Sequence, residues 1–109
     1  GGVPVPKVSL APKGGTYLLV DADGVVRRTG RTGDLELRQY RHSISPTTKD
    51  LKFKVDRRTD SYAAQRGREQ IIFEQYPSAL AENGGLNKIR AVRPNHPSLS
   101  EYLKAGSKL

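Results

Sequence analysis

The sequence contains no cysteine, which excludes disulfide bridges, zinc-thiolate sites and a cysteine nucleophile and leaves oxygen and imidazole as the available ligand atoms. It has no apolar run approaching the roughly 20 residues that span a bilayer, and no signal-peptide pattern opens it, so membrane insertion is not expected. Its two histidines, His42 and His96, stand 54 positions apart and form no closely spaced metal-ligand motif. No P-loop, dinucleotide fingerprint or Gly-x-Ser-x-Gly elbow is present. Acidic residues are outnumbered: 19 Lys and Arg against 11 Asp and Glu give a formal charge of +8 and a pI near 10.1. Such a field attracts phosphate backbones, acidic proteins or anionic surfaces without choosing among them.

What remains is one domain's worth of chain, 109 residues with 35% hydrophobic and 28% charged, enough for a single modest core. Residues 1–14, with three prolines and three glycines before Gly15, read as an arm or linker. The domain is expected over residues 15–105, with 106–109 a frayed tail. Two β-rich runs, Tyr17-Leu18-Leu19-Val20 and Val25-Val26-Arg27-Arg28-Thr29, flank Asp23-Gly24 and predict a hairpin. Thr32-Gly33-Asp34 can cap a helix through His42. Leu51, Phe53 and Val55 alternate with Lys52, Lys54 and Asp56, the period of a third strand with one buried and one wet face.

Thr59-Asp60 can cap a longer helix stopped before Pro77. Gly67 inside that helix calls for close packing or a nearby ligand. After the Asn83-Gly84-Gly85 turn, Leu86 to Val92 reads as a short strand or extended piece, and Ser98 or Ser100 can cap a last helix to about Lys104. The order hairpin, helix, strand, helix, extended piece, helix gives an α+β fold.

Several side chains carry candidate chemistry. Arg38 and His42, four apart, can share a helix face suited to phosphate, or lie on an ordinary solvated face. Arg66, Glu69 and Phe73 fall along one stripe of the second long helix. Glu69 is there either a magnesium ligand, with waters and substrate phosphate completing the shell, or the partner of Arg66 in a surface ion pair. The Tyr17 phenol either handles a water or fills the core, and Asn87 either holds phosphate or fixes its loop.

Taken in order, these residues resemble the GIY-YIG (URI-fold) endonuclease pattern. Gly15-Thr16-Tyr17 stands in the first strand, Arg28-Thr29-Gly30 ends the second, and Gly30-Arg31-Thr32-Gly33-Asp34-Leu35 leads to Arg38 and His42. Glu69 in Arg66-Gly67-Arg68-Glu69-Gln70 and Asn87 after Gly84-Gly85 follow. The likeness covers roughly residues 15–92. Arg66-Gly67-x-Glu69-Gln70, Asn83-Gly84-Gly85-Leu86-Asn87-Lys88-Ile89 and Glu101-Tyr102-Leu103 look like the toxin branch of that fold.

The resemblance implies a small, mainly antiparallel three-stranded sheet flanked by helices, and metal-dependent phosphodiester hydrolysis. Glu69 would bind Mg²⁺ or Mn²⁺, and Arg38 would stabilise the developing charge. The family's second-motif tyrosine and isoleucine are here Arg28 and Thr29, which leaves Tyr17 and His42 to orient or activate the water. Arg31, Arg66 and Asn87 would support the substrate, and Lys52, Lys54, Arg57 and Arg58 would contact the backbone irrespective of base sequence.

DNA is the expected substrate, with RNA the alternative and a non-catalytic nucleic-acid-binding module the reading from another class. By the same resemblance the domain would be the C-terminal toxin module of a secreted bacterial effector. It would act in the cytoplasm of a target cell and be neutralised by a cognate, acidic immunity protein.

Overall fold

The computed structural model describes residues 11–109; the first ten residues of the expected arm lie outside the described residues. Three strands, β1 (Gly15–Val20), β2 (Val26–Thr32) and β3 (Lys52–Arg58), form one antiparallel sheet in the order β2-β1-β3. Three helices accompany it: α1 (Leu35–Ile44), α2 (Tyr62–Gln75) and α3 (Leu99–Gly106). The fold is α+β, as expected.

The β1–β2 hairpin closes where the local chemistry demands. Asp21 Oδ1 accepts from the N–H groups of Asp23 and Val25, each at 2.9 Å, and Gly24 takes the left-handed φ of +82° that favours glycine. Asp34 caps α1 by accepting from the Leu37 N–H at 3.1 Å.

The cap of α2 is Ser61, which accepts from Ala64 N–H, and not Thr59 or Asp60. Those two are used otherwise, Thr59 Oγ1 accepting from Ser61 N–H and Asp60 Oδ1 from Gly14 N–H at 2.8 Å. The packed structure therefore begins before Gly15: Gly14 is buried and its C=O accepts from Thr59, while the Lys13 C=O accepts from Leu35 at the start of α1. The segment from Leu86 to Val92 is not a strand. It makes a single parallel bridge, Leu80 with Asn87, and otherwise turns irregularly.

Tyr17, Leu19 and Leu35 form the core on one face of the sheet, with Leu51 and Phe53 against them; Val20, Val26 and Ala79 form a second cluster with Leu18 and Tyr76. The alternation expected of β3 breaks at its end. Tyr17 pairs with Val55 but Thr16 pairs with Arg57, so Asp56 is an extra residue in a β-bulge. At the bulge Asp56 meets Thr16 and Arg68 of α2 with its side chain 8% exposed, while Val55 is 42% exposed.

Asp56 earns that position through its partners. Arg68 of α2 grips both carboxylate oxygens, at 2.8 and 3.0 Å, and Thr16 Oγ1 donates to it at 2.7 Å. Burial pushes the Asp56 carboxyl up, but the bonds from Arg68 and Thr16 outweigh it and hold the group below its ordinary range. Gly67 is explained by packing: a Cβ there would run into the Tyr102 C=O of α3.

Replacing Asp56 by Ala strands a half-buried guanidinium and a buried hydroxyl together. We expect Asp56→Ala to lower the unfolding free energy by about 3 kcal/mol, against less than about 0.5 kcal/mol for Asp23→Ala in the exposed turn, as measured by urea denaturation.

Candidate active site

Tyr17 sits in the central strand with its ring 1% exposed, stacked on Phe53 at 4.8 Å between centroids. Opposite it in β2 is Gly30, where an added Cβ would stand 2.5 Å from the phenol oxygen. Glycine at this position is a requirement of close approach. The phenol reaches α1 and meets Nε2 of His42 at 3.1 Å, while Nδ1 of His42 meets Thr48 Oγ1 at 3.2 Å.

The proton positions follow from the network. Thr48 donates its one hydroxyl hydrogen to the His42 C=O at 2.8 Å, so its oxygen receives a proton from Nδ1. Nε2 is then the unprotonated nitrogen, and Tyr17 donates to it. Tyr17 is thus both a core residue and a proton donor aimed at a neutral imidazole.

Burial, followed by the charges of Arg28 and Arg38, lowers the His42 pKa from 6.5 to about 4. Arg38 and His42 stand four apart within α1, the spacing of one helix face. Arg28, on β2, joins them, and its charge acts on Glu69 as well.

Glu69, on α2, lines an open cavity of about 440 Å³ with Arg28, Thr29, Asn87 and the loop from Lys88 to Ala91. Burial raises its pKa above the ordinary 4.5, against the charges of Arg31, Arg66 and Arg28 and the main-chain N–H of Arg31. Of the two alternatives for Glu69, the surface pair with Arg66 does not form. Among the described residues Glu69 makes no ion pair, and the Arg66 guanidinium lies instead over Tyr62 and Tyr102.

Asn87 does line the cavity, but its amide is engaged. Oδ1 accepts from Thr29 N–H at 3.2 Å and Nδ2 donates to Thr29 Oγ1 at 2.7 Å, clamping the loop to β2. The far end of that loop is held by Gln70, whose Oε1 accepts from Val92 N–H at 2.9 Å.

Lys52, Lys54, Arg57 and Arg58 are exposed on β3, with β1 between them and the strand that borders the cavity. Arg57 bonds to the Asp56 C=O and Arg58 to the Pro12 C=O. These four do not converge with the site. Reading the sequence for site residues passed over Arg28, Gly30 and Thr48. Gly30 and Arg28 stand in the Arg28-Thr29-Gly30 motif that could have flagged them; Thr48, beyond Pro46, carries no local signal.

A divalent cation can be set against this donor set. Among the described residues no three His, Asp or Glu side chains converge, and Glu69 is the one acidic residue lining its cavity. A hard cation there would have one protein carboxylate and would take its other ligands from water and phosphate. The nearby guanidiniums disfavour a lone cation and favour an anion, so the residues fit an ion that arrives together with phosphate.

The depressed His42 pKa makes a stability prediction. Between pH 6.5 and about 4 the unfolded chain binds a proton at His42 that the folded chain does not, so stability falls as pH falls through that window. Glu69, with its raised pKa, acts in the opposite sense above 4.5. We expect the difference in melting temperature between the parent and His42→Gln to narrow steadily from pH 7 to pH 4; thermal denaturation followed by circular dichroism measures it.

No protein-family model, curated protein or solved structure matches this chain, and its functional reading rests on this geometry and on the motif resemblance.

Proposed function

We propose that the chain is a metal-dependent phosphodiesterase, a nuclease acting on DNA, with its centre between Glu69 and the Tyr17–His42 pair. The observation that carries the reading is a partly buried carboxylate without an ion-pair partner, Glu69, lining a cavity with Arg28, whose charge also acts on the imidazole that the Tyr17 phenol meets. Arg27, Arg57, Arg68 and Arg90 are each tied to Asp or Glu, whereas among the described residues Arg28, Arg31, Arg38 and Arg66 form no ion pair, as is also true of Arg41, Arg58 and Arg93 away from the cavity. Unpaired guanidiniums converging on one place call for an anion, and phosphate matches their fork of donors.

In this reading a water attacks phosphorus as its proton passes to Tyr17 Oη, while the phenol's own proton moves to His42 Nε2; the bond from phosphorus to the leaving oxygen breaks, and that oxygen keeps the electron pair and takes a proton from solvent. The bond that Tyr17 makes to His42 supports that exchange. The neighbouring arginines hold the charge that builds on the phosphate oxygens. Before substrate binds, Arg28 and Arg38 depress the basicity of His42. A phosphate between them cancels part of that effect, so His42 gains proton affinity when the exchange needs it. A divalent ion on Glu69, Mg²⁺ or Mn²⁺, supplies Lewis-acid stabilisation of the phosphate and leaving oxygen when bound.

The wider setting belongs to the same proposal. The likeness to the toxin branch supports a delivered bacterial effector module acting in the cytoplasm of a target cell. The charge of +8 suits an acidic immunity protein as its antagonist. No described helix is long and apolar enough to cross a membrane.

Incubation with plasmid DNA and, separately, total RNA, each with Mg²⁺ or excess chelator, tests the reading. The expected result is Mg²⁺-dependent cutting of DNA, reduced at least 100-fold in both Glu69→Gln and Arg38→Ala, on the scale of removing a single charge-stabilising group. Cutting of RNA alone keeps the chemistry and changes the substrate. Binding of both polymers without cutting by the parent contradicts catalysis and leaves a nucleic-acid-binding module.

A further inference from the structure

Beside the Glu69 cavity, two of the arginines that act on Glu69 are held in a cluster of aromatic rings. Tyr62, Arg66 and Glu69 follow one another along α2 at intervals of four and three residues, and so share a helix face. Arg66 donates from Nη1 to the Tyr62 hydroxyl at 2.6 Å, and its guanidinium carbon lies 5.6 Å from the Tyr62 ring centre and 5.3 Å from that of Tyr102 on α3. From β2 the Arg31 guanidinium comes over the same Tyr62 ring at 4.9 Å. Tyr62 and Tyr102 meet edge to face at 6.0 Å, and His96 stands 5.2 Å from Tyr102.

Two guanidiniums against one ring repel each other. Aromatic faces attract each of them without neutralising either. The nearest acid, Glu69, is in an ion pair with neither. Ring contacts also leave most of the N–H donors unspent: Arg66 commits one to Tyr62, and Arg31 has only a long 3.5 Å contact to Gln65 Oε1. Tyr62 is 52% exposed, so the cluster opens to solvent. A fixed, solvent-facing pair of positive forks next to a phosphodiester site has the chemistry of an anion subsite.

We propose that Arg31 and Arg66, held in place by Tyr62 and Tyr102, form a second phosphate subsite that binds the nucleic-acid strand beside the scissile phosphate. The proposal rests on the nuclease reading and deepens it. Arg31 and Arg66 bind; Tyr62 and Tyr102 are positioning residues that act through them. The subsite makes the enzyme prefer a strand long enough to reach both places over a dinucleotide that spans the scissile bond alone.

The test is oligonucleotide binding in excess chelator across a salt series, with cleavage in Mg²⁺ run in parallel, for the parent, Arg31→Gln, Arg66→Gln, Tyr62→Leu and Tyr62→Phe. Each arginine variant is expected to reduce the slope of log affinity against log salt by about one and to raise KM more than it lowers kcat. Tyr62→Leu, which loses the ring, should behave as a partial arginine loss. Tyr62→Phe, which keeps the ring, should stay near the parent. Variants that keep the parent's slope and KM while the parent binds and cuts overturn the subsite alone. A parent that binds no oligonucleotide overturns the nuclease reading and the subsite with it.

Discussion

The hydrogen bond from the Tyr17 phenol to Nε2 of His42 ties the centre of the sheet to α1, and much of the local architecture exists to permit it. The ring must lie flat in the core, which Phe53 allows by stacking on it. The strand opposite must carry no side chain at the pairing position, which Gly30 satisfies. The imidazole must present an unprotonated nitrogen, which Thr48 enforces by occupying the other one. A residue that by burial belongs to the core thereby keeps a polar atom in working order, because every hydrogen bond around it has one consistent direction.

A second organising principle is the sorting of arginines. Arg68 spends both sides of its fork on the bulged Asp56 and so locks α2 to the sheet; Arg27 closes the hairpin with a single bond from Nε to Asp21. Those contacts place Glu69 and β2 against each other. Arg28, Arg31 and Arg66 oppose the burial that raises Glu69, while burial, then Arg28 and Arg38, shift His42 down. What distinguishes the site is that its uncompensated cations stand beside a partly buried carboxylate.

Elements governed by neighbours in sequence were legible. The Asp21-to-Gly24 turn, the Asp34 cap of α1 and the helix that ends before Pro77 depend on contacts within a few residues. The bulge at Asp56 was not, because a strict alternation through Val55 is the natural reading until Arg68, twelve positions away, draws Asp56 inward. The cap of α2 was misplaced for a similar reason. Thr59, Asp60 and Ser61 all offer a capping oxygen, and the choice fell to Ser61 once Asp60 was taken by Gly14. Arg66 and Glu69 have the spacing of an ion pair, yet two tyrosines from different helices claim the guanidinium. Tyr17, Arg38, His42 and Glu69 were all singled out from the sequence; Arg28, which stands between them, was visible only as a departure from a motif.

The central claim is that a water, activated near Tyr17, is added to a phosphodiester at the Glu69 cavity. Cleavage of a short oligodeoxynucleotide in ¹⁸O-enriched water, followed by mass spectrometry of the fragments, tests it most directly. The account predicts one ¹⁸O atom in the new terminal phosphate and none in the new hydroxyl. Label in the hydroxyl, or cleavage confined to RNA with an unlabelled 2′,3′-cyclic phosphate as the product, would contradict it.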